Sequence, residues 1–149
     1  MSFVGILLLV TIASAAQGYR VCPKGWVYYR NRCYLFSEEK ATVKEAMKGC
    51  ANAASNGRLV QVHNAQEEAW LEQQLKLRAM SRVWMGMSDI MEETVFLKLT
   101  DARKIAFTNW NDNEPNNHRG IEDCVEWVSN GKWNDAPCDV KRQFVCEMP

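Results

Sequence analysis

Glu114-Pro115-Asn116, then Glu122-Asp123-Cys124, then Trp133-Asn134-Asp135: the reading of this chain turns on these three clustered motifs. Within 22 residues they gather the carboxylates of Glu114, Glu122 and Asp135 and the side-chain amides of Asn116 and Asn134. All five offer oxygen, and oxygen is what a hard cation such as Ca²⁺ requires. Ca²⁺ takes about 6–8 oxygen ligands, so five side chains, some bidentate, nearly complete a shell and leave room for hydroxyls of a partner. Three carboxylates drawn together would also repel one another without a cation. An isolated Glu-Pro-Asn reads as an ordinary turn. With the other ligands at these separations, a calcium centre is expected at Glu114, Asn116, Glu122, Asn134 and Asp135.

These motifs, closed by Phe144-Val145-Cys146-Glu147, resemble the carbohydrate-recognition domain of the C-type lectin family over about Cys22 to Glu147. The resemblance implies an α+β fold of C-type lectin-like type, with two helices, antiparallel strands, a long calcium-binding loop region and three disulfides. In that family Glu-Pro-Asn accompanies mannose-type sugars (mannose, N-acetylglucosamine, fucose, glucose), and Gln-Pro-Asp accompanies galactose. The resemblance also implies a cis peptide bond before Pro115, and the pairings Cys22 with Cys33, Cys50 with Cys146 and Cys124 with Cys138. Asp89, Glu93 and Asp123 match an auxiliary ion site, with Asn117 where the family often has an acid; one fewer negative charge weakens such a site. His118, two residues beyond Asn116, is placed to touch a sugar ring, making the sugar-binding set Glu114, Asn116, His118, Glu122, Asn134 and Asp135. The implied partners are mannose-type glycans on cell or microbial surfaces, with innate immune recognition as a setting. The alternative is a domain of the same fold that binds a protein, mineral or ice surface.

The sugar rule has a physical basis. A carboxylate only accepts hydrogen bonds and an amide NH₂ donates them, so a hydroxyl can give its proton to Glu114 while another accepts one from Asn116. Exchanging acid and amide reverses that polarity.

At 149 residues and 47% hydrophobic content, the chain has room for one domain with a real core. The first eighteen residues carry no Lys, Arg, Asp or Glu, and the apolar run Phe3 to Ile12 ends in Ala13-Ser14-Ala15-Ala16. Residues 1–18 therefore read as a secretory signal, with cleavage after Ala15 or Gly18 both fitting, and residues 19–149 as the domain of a secreted, extracellular protein. The run is shorter than the roughly 20 apolar residues a membrane span needs. Eighteen basic and eighteen acidic residues cancel, which removes the electrostatic case for nucleic acid. Six cysteines behind a secretory leader point to disulfides, though spacing alone allows fifteen pairings. No Cys-x-x-Cys or paired-His zinc spacing occurs.

Trp26 to Phe36 reads as two strands around a tight turn at Asn31-Arg32. Thr42-x-x-Glu45 is a capping box, with Val43, Ala46, Met47 and Cys50 on one helical face. Asn64 and Glu67 open a second helix, Ala65 to about Leu77, with Ala69, Trp70, Leu75 and Leu77 as its apolar stripe. Arg82 to Met87, Val95 to Leu99, Ile105 to Trp110, Cys124 to Val128 and Gln143 to Glu147 are strand-like. Asn111 to Ile121, with four Asn, is the main irregular segment, and such loops in compact domains carry function. His63 reads as structural, and Trp84, Trp110, Trp127 and Trp133 as core. No Gly-x-Ser-x-Gly, His-Glu-x-x-His or phosphate loop appears, and paired cysteines leave no free nucleophile, so an enzyme is not expected. No collagen tract or heptad neck is present, although a weak single site gains from oligomeric presentation. No Asn-x-Ser/Thr sequon occurs.

Overall fold

The computed structural model describes residues 22–149, so the expected signal segment lies outside the described residues. Eight strands form one sheet: β1 (Val27–Tyr29), β2 (Arg32–Phe36), β3 (Arg58–Leu59), β4 (Arg82–Ser88), β5 (Leu97–Lys98), β6 (Cys124–Val128), β7 (Trp133–Ala136) and β8 (Gln143–Met148). Their order is β1-β2-β8-β4-β6-β7, with β3 on β8 and β5 on β4. Two helices, α1 (Val43–Ala53) and α2 (Ala65–Leu77), pack against it.

The first hairpin turns at Arg30 and Asn31, whose φ values of 44° and 69° supply the paired left-handed geometry of a two-residue hairpin. In α1 the capping box closes as the sequence predicts: Glu45 N–H donates to Thr42 Oγ1 at 3.3 Å, and Thr42 N–H donates to Glu45 Oε2 at 2.9 Å. Val43, Ala46 and Cys50 face inward, and Cys50 is bonded to Cys146 of β8. The other disulfides are Cys22–Cys33 and Cys124–Cys138, the pairing the family resemblance implied.

In α2 only half of the expected cap forms. Asn64 Oδ1 accepts the N–H groups of Gln66 and Glu67, but the Glu67 carboxylate reaches back one residue further, to His63 N–H at 2.9 Å. The stripe is also rotated: Glu67, Glu68, Leu71 and Leu75 are buried, whereas Ala69 and Leu77 are exposed and Trp70 half-buried. The reason is that the two buried carboxylates find partners. Tyr34 Oη donates to Glu67 at 2.6 Å, and Trp133 Nε1 donates to Glu68 at 3.1 Å.

The sheet is mixed rather than wholly antiparallel. β4 runs parallel to β8, pairing Val83 with Gln143 and Trp84 with Phe144, while every other strand pair is antiparallel. A parallel pair needs a long crossover, and the loops and strands between β4 and β8 supply it. Ile105 to Trp110 is not a strand; among the described residues its only ladder contact is the bridge from Trp110 to Trp133. β5 is confined to two residues of the run Val95 to Leu99.

Trp84, Trp127 and Trp133 are fully buried, as expected, and Trp110 packs against the same core. Gly86 sits where a Cβ would lie 2.7 Å from the Leu59 carbonyl, so only glycine lets β4 approach β3 this closely. Among the described residues no helix is long and apolar enough to cross a membrane.

Candidate functional site

The β6–β7 hairpin is the rigid floor of the site. Its register sets Asn134 opposite Glu126 and Asp135 opposite Val125. The loop between β5 and β6 comes down onto this floor. Asp135, 1% exposed, accepts the backbone N–H of Asn116 at 3.2 Å and of Asn117 at 2.7 Å, one on each carboxylate oxygen. Glu122, just before β6, accepts His118 N–H at 2.7 Å, while its own N–H donates to Asn117 Oδ1 at 3.0 Å. Asn113 and Asn117 hold φ of 64° and 44°, left-handed conformations that Asn tolerates well. The four-Asn segment therefore has a structural use: its residues make the reversals that wrap the loop around Asp135.

The Glu114–Pro115 bond is cis. Glu114 and Asn116 face each other, with Asn116 Nδ2 donating to Glu114 Oε1 at 2.9 Å. The second Glu114 oxygen is buried without a hydrogen-bond partner. Burial, contact with Asp135 and the charge of Glu122 push the Glu114 pKa up to about 7, against the Asn116 bond that lowers it. A carboxyl with an unpartnered buried oxygen, raised in pKa by burial, Asp135 and Glu122, fits a cation partner.

The auxiliary residues also converge. Asp89 N–H donates to the Asp123 carbonyl at 3.1 Å, Thr94 N–H donates to Asp89 Oδ2 at 2.9 Å, and Asn117 Nδ2 donates to Glu93. Asp89 Oδ1 is buried without a partner. Burial raises the pKa of Asp89, and the Asp123 and Asp135 charges add to it; burial and Asp89, Asp123 and Asp135 raise Glu93 likewise. Oxygen donors with two orphaned carboxylate oxygens among them fit a hard cation such as Ca²⁺.

Asn134 gives its NH₂ to Glu126 Oε1 at 3.2 Å and to the Asp135 carbonyl, which leaves Oδ1 as the atom it could offer a cation. His118 is exposed and contributes its backbone N–H to Glu122. The sequence reading missed Glu126, which is fully buried and joins Arg82, Arg142 and Asn134. Its signal was a lone acid amid Val125, Trp127 and Val128. A compact His and acid group among the described residues, His63, Glu67 and Glu147, lies elsewhere. There Arg32 and Arg58 hold Glu147, and Tyr34 and His63 hold Glu67, so it is a satisfied polar network and His63 is structural.

Residues 39–148 match the family model described as the Lectin C-type domain. The chain belongs to the C-type lectin domain family. It is 32% identical to the low affinity immunoglobulin epsilon Fc receptor of Mus musculus, over 95% of this chain and 41% of that protein. It is 30% identical to a perlucin-like protein of Mytilus galloprovincialis, over 98% of each. The chain thus spans well under half the length of the mouse receptor and nearly all of the mussel protein. Among solved structures, the C-type lectin CEL-I from Cucumaria echinata superposes with a TM-score of 0.79 at 27% identity, covering 87% of this chain and 99% of that one. The cow carbohydrate-recognition domain of CD23, solved in the presence of a GlcNAc2Man3 oligosaccharide, gives 0.77 at 32% identity over 86% and 95%. Members of this family are carbohydrate-binding proteins and not enzymes, and their domains generally bind Ca²⁺.

Proposed function

We propose that the domain is a secreted, calcium-dependent lectin for mannose-type sugars, held by Glu114, Asn116, Glu122, Asn134 and Asp135. The observation that carries this reading is the facing pair Glu114 and Asn116, an acid with a free buried oxygen beside an amide in the mannose-type order. A bound Ca²⁺ supplies a positive centre that neutralises the acids and accepts sugar hydroxyls as ligands. Asp135 fixes the loop through its two backbone bonds, Glu122 orders the turn at His118, and Glu114 and Asn116 present an acceptor and a donor to two hydroxyls. Asn134 completes the set through its Oδ1, with its NH₂ held by Glu126. Asp89, Glu93, Asn117 and Asp123 form an auxiliary site that orders the same loop, and His118 borders the sugar.

Three disulfides support an oxidising, extracellular location reached by a leader at residues 1–18. Such a site is small and wet, so single-site affinity is low and presentation in several copies raises avidity. A glycan array probed with calcium and with chelator tests the proposal. Calcium-dependent binding to mannose, fucose or N-acetylglucosamine termini is expected. Chelator-resistant binding, or no glycan binding at all, contradicts it and leaves a protein, mineral or ice surface as the ligand.

A further inference from the structure

A groove of about 350 Å³ is lined by Thr94, Phe96, Lys104, Thr108, Trp110 and Pro115 among others. Its size falls within the roughly 300–1,000 Å³ of small-ligand sites, and its mix of apolar wall and a few polar groups is the usual lining of such sites. The wall is rigid. Trp110 packs against Phe96 with ring centroids 4.7 Å apart and against Trp133 at 5.8 Å, and Asn111 N–H donates to the Trp133 carbonyl at 2.8 Å. The groove adjoins the proposed sugar site through one residue: Pro115 lines it, and Glu114 and Asn116 flank that proline in the chain.

The segment that builds most of the groove is basic. Residues 95–110 carry Lys98, Arg103 and Lys104 against a single acid, Asp101, in a chain that is neutral overall, while Glu93 and Glu114 border the lining at Thr94 and Pro115. Asp101 pairs with Arg103 at 3.6 Å, and Lys104 makes no ion pair among the described residues. A ligand that lays a ring on Trp110, bonds the Thr94 and Thr108 hydroxyls and carries a negative group is complementary to this lining.

We propose that this groove is a second sugar subsite, which takes an acidic residue linked to the mannose-type sugar held at Glu114 and Asn116, with Lys104 pairing its sulfate or carboxylate. The subsite rests on the lectin reading of the adjacent loop and adds to it a preference for acidic oligosaccharides. The pairing is exposed to solvent, so its contribution is modest and falls as salt rises.

The test is titration calorimetry in calcium with four ligands: methyl α-mannoside and three mannose-terminated disaccharides whose second residue is neutral, sulfated or a uronic acid. The acidic disaccharides are expected to bind about two- to fivefold tighter than the neutral one, the worth of a single exposed ion pair, with the gain shrinking in high salt. Lys104→Glu should abolish that gain and leave methyl α-mannoside affinity unchanged, since Lys104 is exposed and lies outside the calcium ligands. Equal binding of neutral and acidic disaccharides by the parent, or a gain that survives Lys104→Glu, overturns the subsite alone. Failure of methyl α-mannoside to bind overturns the lectin reading and the subsite with it.

Discussion

Asp135, buried in the edge strand β7, accepts the backbone N–H of Asn117 at 2.7 Å, so the loop that bears Glu114 is fastened directly to the sheet. Hydrogen bonds to a buried charged acceptor are worth about 1.5–3 kcal/mol each. Asp135→Ala should therefore destabilise the domain by about 2–4 kcal/mol in calcium, and speed amide hydrogen exchange at Asn116 and Asn117 above all. Unchanged exchange at those two amides would show that the loop is held by other means.

Calcium should stabilise the fold. An ion that binds only the folded state contributes about 2.7 kcal/mol when its concentration is a hundred times Kd. Thermal unfolding in calcium and in chelator measures this directly, and superimposable melting curves would count against a site of useful affinity.

The pKa of Glu114 gives the apo and calcium-bound forms opposite pH responses. In the apo fold this carboxyl sits at about 7 against an ordinary 4.5, so the native state binds more protons than the unfolded chain between those values. Stability without calcium should fall as pH rises from about 4.5 to 7 on account of this group. Bound calcium requires the ionised carboxylate, so calcium affinity and mannose binding should rise over the same interval. Melting temperature against pH, with calcium and with chelator, distinguishes the two; sugar binding undiminished at about pH 4 contradicts the calcium mechanism.

Glu126 should matter beyond packing. It is fully buried with Arg142 at 2.7 Å, Arg82 and the Asn134 amide. Removing one partner of a buried ion pair costs about 3–5 kcal/mol, and the exposure of Arg82 places Glu126→Ala at the lower end. Glu126→Gln keeps an acceptor for Asn134 and should cost less in both stability and calcium affinity. Chemical denaturation and calcium titration of the two variants check the order.

How far the sequence foretold this depends on how local each signal was. The Thr42–Glu45 cap and the bounds of α2 were legible because they are written within one turn of chain. The buried face of α2 was not, because Glu67 and Glu68 are drawn inward by Tyr34 and Trp133, residues far away in sequence. The parallel pairing of β4 with β8 was hidden for the same reason. At the candidate site, the bond from Asn116 to Glu114 lies within one motif, whereas the bonds from Asn117 to Glu93 and from Asp89 to Asp123 join segments far apart in the chain. The bond from the Asn134 NH₂ to Glu126 is a cross-strand relation that only the register reveals.

The central claim is that Glu114 and Asn116 select the sugar through the polarity of one acceptor and one donor. The double substitution Glu114→Gln with Asn116→Asp tests it, since the pair keeps one acid and one amide at nearly unchanged size. Calcium affinity, mannose affinity and galactose affinity should be measured by calorimetry on parent and variant. The account predicts retained calcium binding, mannose affinity reduced about tenfold or more, a discrimination of about 1.4 kcal/mol, and galactose binding that appears or rises. A variant that binds calcium and still prefers mannose over galactose as strongly as the parent would contradict it.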